Sequence, residues 1–119
     1  LFKPRGVTIL INMNGLTLSQ LTDVVFWKDV IMSLTRFAGL TPHTETFVFK
    51  RFKDAANEVC GITFSTILSE SHIQGHTWGE SNYLRLELSS CKYVSPDSIR
   101  EWLESKFPDT YVDCMAVAW

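Results

Sequence analysis

The sequence predicts an α+β fold, a two-layer sandwich with two helices on one face of an antiparallel sheet, in the order β-α-β-β-β-α-β. Three observations predict it. Two stretches carry helical caps and a helical apolar period, five others have the composition or alternation of strands, and 119 residues with 45% hydrophobic content fit one domain with a core, 1–119. "GVTILINM" opens with Val7, Ile9, Ile11 and Met13 alternating on one side, a strand pattern. Thr17 followed by Gln20 is a capping box, and the helix it starts runs towards Gly39, a natural stop. Leu18, Leu21, Val25, Ile31, Leu34 and Ala38 form its expected buried stripe. "TETFVFKRF" is a second strand, "KDAANE" a hairpin loop and "VCGITFSTIL" a third strand. In "SNYLRLELSSC", Leu84, Leu86 and Leu88 share one face, while Tyr83, Arg85, Glu87, Ser89 and Cys91 share the other. "SPDSIREWLESKFP" is the second helix, with Ser95 as cap, Pro96 at the first position, Asp97 at the positive end of the dipole and Pro108 beyond its end. Ile99, Trp102 and Leu103 face the core, and "TYVDCMAVAW" is the last strand.

Composition narrows the function. A net charge of −2 supplies no basic footprint for nucleic acid, and no apolar run is long enough to cross a membrane. Cys60, Cys91 and Cys114 are odd in number and scattered, which points to a reducing cytoplasm and not to a disulfide framework.

The reactive chemistry is concentrated in "SESHIQGHTWGE", between the third and fourth strands. One reading is a polar connecting loop with Trp78 packed down and the histidines solvated. A metal site is a second, but two histidines four apart with a distant cysteine lack a fourth ligand at familiar spacing, so no metal is expected. The third is nucleophilic: a Ser, a nearby His and a separate Cys have the parts for proton transfer. Ser71 and His72 are neighbours and on a strand point opposite ways, which leaves His76 as the better-placed base if the chain folds back.

"LSESHIQGHTWGE" followed by "LELSSC" resembles the prokaryotic type of S-adenosylmethionine decarboxylase, a family that makes a pyruvoyl cofactor from its own chain. Glu70, Ser71, His72, His76, Thr77, Trp78, Glu80 and Cys91 fall on the family's signature in register. The resemblance implies autocleavage between Glu70 and Ser71, giving a β chain 1–70 and an α chain 71–119 whose first residue becomes the pyruvoyl group. It implies that the Ser71 hydroxyl attacks the Glu70 carbonyl, that Thr63 supplies an assisting hydroxyl where Ser is common, and that His76 takes the α-proton of residue 71. The ketone then forms a Schiff base with the substrate amine, and Cys91 resembles the family's proton donor. Glu80 matches the acid that binds the ribose hydroxyls, Phe52 resembles the aromatic against the adenine, and Trp78 lies in the same motif, with core packing as its other reading.

The implied function is decarboxylation of S-adenosylmethionine for polyamine (spermidine) synthesis, by a homodimer with active sites near the interface. Three departures stand out. Gly79 replaces the usual Pro, Lys92 follows Cys91 where Gly is usual, and Glu87 stands where Asp is common. They leave room for a pyruvoyl enzyme acting on arginine or ornithine. A non-catalytic regulatory relative is the alternative of another class, against which stand Ser71, His76, Cys91 and the Thr63 hydroxyl.

Overall fold

A computed structural model describes residues 2–119. It contains six strands and three α-helices: β1 (Val7–Asn14), α1 (Leu18–Leu21), α2 (Val24–Phe37), β2 (Val48–Lys53), β3 (Val59–Leu68), β4 (Ser71–Trp78), β5 (Tyr83–Ser90), α3 (Pro96–Lys106) and β6 (Tyr111–Ala118). The strands form one antiparallel sheet in the order β2-β3-β4-β5-β1-β6. The fold class is the expected one, with one strand more than the sequence reading allowed.

That strand is β4, the segment read as a connecting loop. Ile73, Gly75 and Thr77 alternate into the core while Gln74, His76 and Trp78 face outward. The alternation is hard to see because two of the three inward residues are not apolar. Gly75 is required by close approach, since a Cβ there would meet Phe64 Cζ at 2.5 Å and Leu86 Cδ2 at 2.7 Å. Thr77 is buried because its hydroxyl is satisfied twice, donating to the Leu21 carbonyl (2.6 Å) and accepting from the Ile62 amide (2.9 Å).

The first helix also differs from expectation, breaking at Thr22–Asp23 into α1 and α2. The Thr17–Gln20 capping box is present, but Asp23 starts a new helix by accepting from the Phe26 amide (3.0 Å). The indole N–H of Trp27 donates to the Gln20 carbonyl at the break (2.7 Å), which also accepts from the Asp23 amide (3.2 Å). The rotation this introduces buries Val24, Trp27 and Val30 and leaves Leu18 and Val25 exposed, contrary to the expected stripe. Gly39 ends α2 with φ of 78°, a conformation other residues adopt only with strain.

Core residues from the helices and from one sheet face meet around Trp27, which stacks on Phe64 and Phe107 with ring centroids 6.3 and 5.8 Å apart. Ile9, Ile11, Met13, Leu84, Leu86 and Leu88 line the sheet side of this core. The opposite sheet face carries no helix. Val48, Phe52, Ile67, Met115 and Val117 are exposed there among Thr63, His76, Arg85 and Glu87. Among the described residues no helix is long and apolar enough to cross a membrane.

Candidate active site

The residues singled out from the sequence collect at two places along β4, not one. The first is the β3–β4 hairpin turn. Leu68 pairs with Ser71, so Ser69 and Glu70 form a two-residue loop. Such loops normally place positive φ on their central residues to match strand twist. Here the positive φ, 155°, falls on Ser71 instead. An L-residue held there stores about 1–3 kcal/mol of strain, at the peptide Glu70–Ser71.

This turn is held from both sides. The Cys91 amide, just past the end of β5, donates to the Glu70 carbonyl at 2.9 Å. The Glu70 carboxylate accepts from the Thr41 amide at 2.9 Å and from the Thr41 hydroxyl at 3.3 Å. That amide bond, with the Lys92 charge as a lesser contribution, keeps the Glu70 carboxyl below its usual range. Lys92 in turn donates from its ammonium to the Gly39 carbonyl at 3.0 Å, tying the turn after β5 to the end of α2. The Cys91 thiol is exposed beside this turn.

Ser71 and His72 do not point opposite ways as an ordinary strand would require. The unusual φ of Ser71 breaks the alternation, and Ser71 Oγ lies 3.2 Å from His72 Nδ1.

The second group lies at the other end of β4. His76 pairs across with Thr63 on one side and Arg85 on the other. Thr63 Oγ1 and His76 Nδ1 are hydrogen-bonded at 2.5 Å. In the tautomer where Nδ1–H donates, Nε2 is left as a free base. Partial burial lowers the His76 pKa below 6.5, opposed by the negative charge of Glu80, so the ring is neutral near pH 7. Trp78 packs edge-on against the His76 ring at 4.2 Å, and Phe52 approaches it at 5.7 Å. The short 3-10 turn Gly79–Ser81 carries Glu80 at the end of this aromatic row, and Tyr83 extends the row at 5.1 Å from Trp78. A depression of about 200 Å3 lined by Thr63, Gln74, Gly75, His76, Arg85 and Glu87 opens beside it on the uncovered face. Gly79 has a local reason. A Cβ there would lie 2.5 Å from Leu18 Cδ1 and 2.6 Å from the Cys60 carbonyl, so this chain has no room for Pro.

Thus the structure brings Glu70, Ser71 and Cys91 together, and brings Thr63, His76, Phe52, Trp78 and Glu80 together. It does not bring the two groups to each other. His76 is five residues from Ser71 on an extended strand, about 16 Å at 3.3 Å per residue. The chain does not fold back to close that gap. Sequence reasoning missed Thr41, the Cys91 amide, His72 as a contact of Ser71, and Tyr83. Two of these act through backbone N–H groups, which no side-chain pattern reports. Among the described residues no three His, Cys, Asp or Glu side chains converge as metal ligands would.

Comparison with known proteins gives consistent results. A family model described as S-adenosylmethionine decarboxylase matches residues 7–118. The S-adenosylmethionine decarboxylase proenzyme of Acidithiobacillus ferrooxidans is 30% identical over 98 residues, covering 82% of this chain and 68% of that one. The proenzyme of the same name from Symbiobacterium thermophilum is 29% identical over 105 residues, covering 87% and 74%. That from Clostridium botulinum is 27% identical over 103 residues, covering 86% and 83%. The crystal structure of the adenosylmethionine decarboxylase from Aquifex aeolicus superposes with a TM-score of 0.74 at 19% identity, over 98% of this chain and 91% of that one, a likeness of fold. With nearly its whole length matched by the family model, this chain belongs to the S-adenosylmethionine decarboxylase family.

Proposed function

We propose that this chain is a self-processing S-adenosylmethionine decarboxylase of polyamine biosynthesis, cut between Glu70 and Ser71 to generate a pyruvoyl group at residue 71. The observation that carries the reading is the geometry at Ser71. A strained, nucleophile-bearing residue follows a carbonyl that already accepts a hydrogen bond from the Cys91 amide. Attack by Ser71 Oγ on the Glu70 carbonyl carbon closes a five-membered ring. The resulting negative charge falls on the oxygen that the Cys91 N–H holds, the position an oxyanion donor must occupy. Breaking the C–N bond turns the peptide into an ester and frees residue 71 from its unfavourable φ. Removal of the residue 71 α-proton then expels Glu70 as a carboxylate, and the dehydroalanine left behind tautomerises and hydrolyses, releasing ammonia.

The fold suits such a cut. It falls at the hairpin connection, between Glu70 in the loop and Ser71 at the first rung of the ladder, so the rungs beyond Ser71 are untouched. Residues 1–70 supply β1, β2 and β3, and residues 71–119 supply β4, β5 and β6. In the order β2-β3-β4-β5-β1-β6 the pairings β3 with β4, β5 with β1 and β1 with β6 join the two fragments, so three strand pairings keep them together.

A pyruvoyl group fits residue 71 because that residue heads β4, at the first rung of its ladder, with the Cys91 amide bonded to the carbonyl just before it. When present, its ketone binds the substrate amine and accepts the electron pair released with carbon dioxide. The exposed Cys91 thiol stands ready to return a proton to the substrate carbon. Phe52 and Trp78 offer aromatic faces to an adenine and to a sulfonium cation, and Glu80 offers its carboxylate to ribose hydroxyls.

The roughly 16 Å between Ser71 and His76 leads to a homodimer with composite sites. When two uncovered sheet faces pack about a two-fold axis that runs across β4 near its middle, the Ser71 end of one β4 lies over the His76 end of the other. Exposed Val48, Phe52, Ile67, Met115 and Val117 give that face apolar area to bury. Arg85, which has no carboxylate within ion-pair distance among the described residues, and Glu87 would meet partner groups. The free thiols of Cys60, Cys91 and Cys114 fit a reducing cytoplasm.

Intact mass of the purified protein tests the reading. Two fragments split between Glu70 and Ser71, the second reactive with phenylhydrazine, are expected. A chain that stays whole on long incubation overturns it. Release of labelled carbon dioxide from S-adenosylmethionine, with arginine and ornithine as competitors, tests the substrate.

A further inference from the structure

Cleavage of the kind proposed above needs two proton acceptors at different times. The first takes the hydroxyl proton of Ser71 as its oxygen attacks. The second takes the α-proton of residue 71 as the ester opens. Only the second has a candidate so far, His76 of a second copy. For the first, the chain offers a group in direct contact. His72 Nδ1 lies 3.2 Å from Ser71 Oγ, within reach for general-base catalysis. No other side chain among the described residues is hydrogen-bonded to that hydroxyl. The contact exists because of the positive φ at Ser71; in regular β-structure the two side chains would lie on opposite faces. The Glu70 carboxylate, the other nearby base, is turned away and occupied by Thr41.

We propose that His72 is the catalytic base of the first step, the acyl shift, and that His76 serves only the second, the elimination. This inference rests on the self-processing reading. In the first step His72 Nδ1 accepts the Ser71 hydroxyl proton while Oγ bonds to the Glu70 carbonyl carbon. The π pair moves to the carbonyl oxygen and is held there by the Cys91 N–H. When that pair returns, the C–N bond breaks, and the leaving nitrogen takes the proton back from the imidazolium. His72 ends the step neutral, and the products are an ester and a free amine. Thr63 is hydrogen-bonded to His76, about 16 Å along β4 from Ser71 of the same chain, so that pair does not serve the first step in cis.

The two roles leave different arrested species, and hydroxylamine tells them apart because it cleaves an ester and spares a peptide bond. Wild type, His72→Ala, His72→Asn and His76→Ala chains are followed by intact mass with and without hydroxylamine. His76→Ala is expected to stay whole until hydroxylamine splits it after Glu70. His72→Ala is expected to stay whole in hydroxylamine as well, with splitting slowed about a hundredfold, the scale of a lost general base. His72→Asn keeps a hydrogen-bonding nitrogen near the Nδ1 position but has no basicity, and is expected to be as slow as His72→Ala. Imidazole added to His72→Ala is expected to restore part of the rate. The proposal is overturned if either His72 variant accumulates a hydroxylamine-sensitive chain or splits within about twofold of wild type. A wild-type chain that never splits overturns the self-processing reading itself.

Discussion

If each site is built from two copies, two dead variants should repair each other. Ser71→Ala lacks the nucleophile but keeps His76; His76→Ala lacks the base but keeps Ser71 and Cys91. Neither should split alone. In a mixed dimer one of the two sites has Ser71 from the His76→Ala chain facing His76 from the Ser71→Ala chain. The separation decides the matter, because proton transfer needs about 3 Å and the same-chain distance along β4 is about 16 Å. Random pairing makes about half of the dimers mixed, so about half of the His76→Ala chains, and about a quarter of all chains, should split. The assay is co-expression with a mass tag on one variant, followed by intact mass of the purified mixture. Splitting confined to the His76→Ala chain is expected. No splitting in a mixture shown by mass to contain mixed dimers, or splitting of His76→Ala by itself, would refute the argument.

Other consequences follow from single contacts. Cys91→Ala keeps the backbone amide that holds the Glu70 carbonyl, so splitting should continue while decarboxylation falls at least about a hundredfold, read by carbon dioxide release. In the elimination, His76 must be neutral to accept a proton. Because burial lowers its pKa, the elimination, followed as loss of the hydroxylamine-sensitive chain, should stay fast as pH drops to 6.5 and fail only below it. The same group binds protons more readily unfolded than folded, so its contribution makes stability decline as pH falls through 6.5, visible in denaturant midpoints. Gly75→Ala in a Ser71→Ala background should cost about 1–3 kcal/mol in urea unfolding, because its Cβ would overlap Phe64 and Leu86. Gly79→Pro, although it restores the residue usual in the family, should also destabilise, because the Cys60 carbonyl cannot move aside as a side chain could; a rise in the urea midpoint would contradict this.

Much of this protein could be read from local pattern alone. The boundaries of β3 and the caps of α3 emerge directly, because strand alternation and helix capping are properties of adjacent residues. The motif from Glu70 to Cys91 was legible for a similar reason, since offsets between unlike residues survive whatever the fold does with them. Other features depend on distant partners. β4 is a strand because Phe64 and Leu86 leave space for nothing larger than Gly75, and because Thr77 finds partners in Leu21 and Ile62. The break between α1 and α2 depends on Trp27 reaching back to Gln20. The site itself is tertiary in the same sense. Backbone amides of Cys91 and Thr41 hold Glu70, and a φ of 155° turns Ser71 towards His72. An extended strand then carries His76 out of its reach. Residue types name the chemistry available, but distance along a rigid strand determines which groups one chain can bring together.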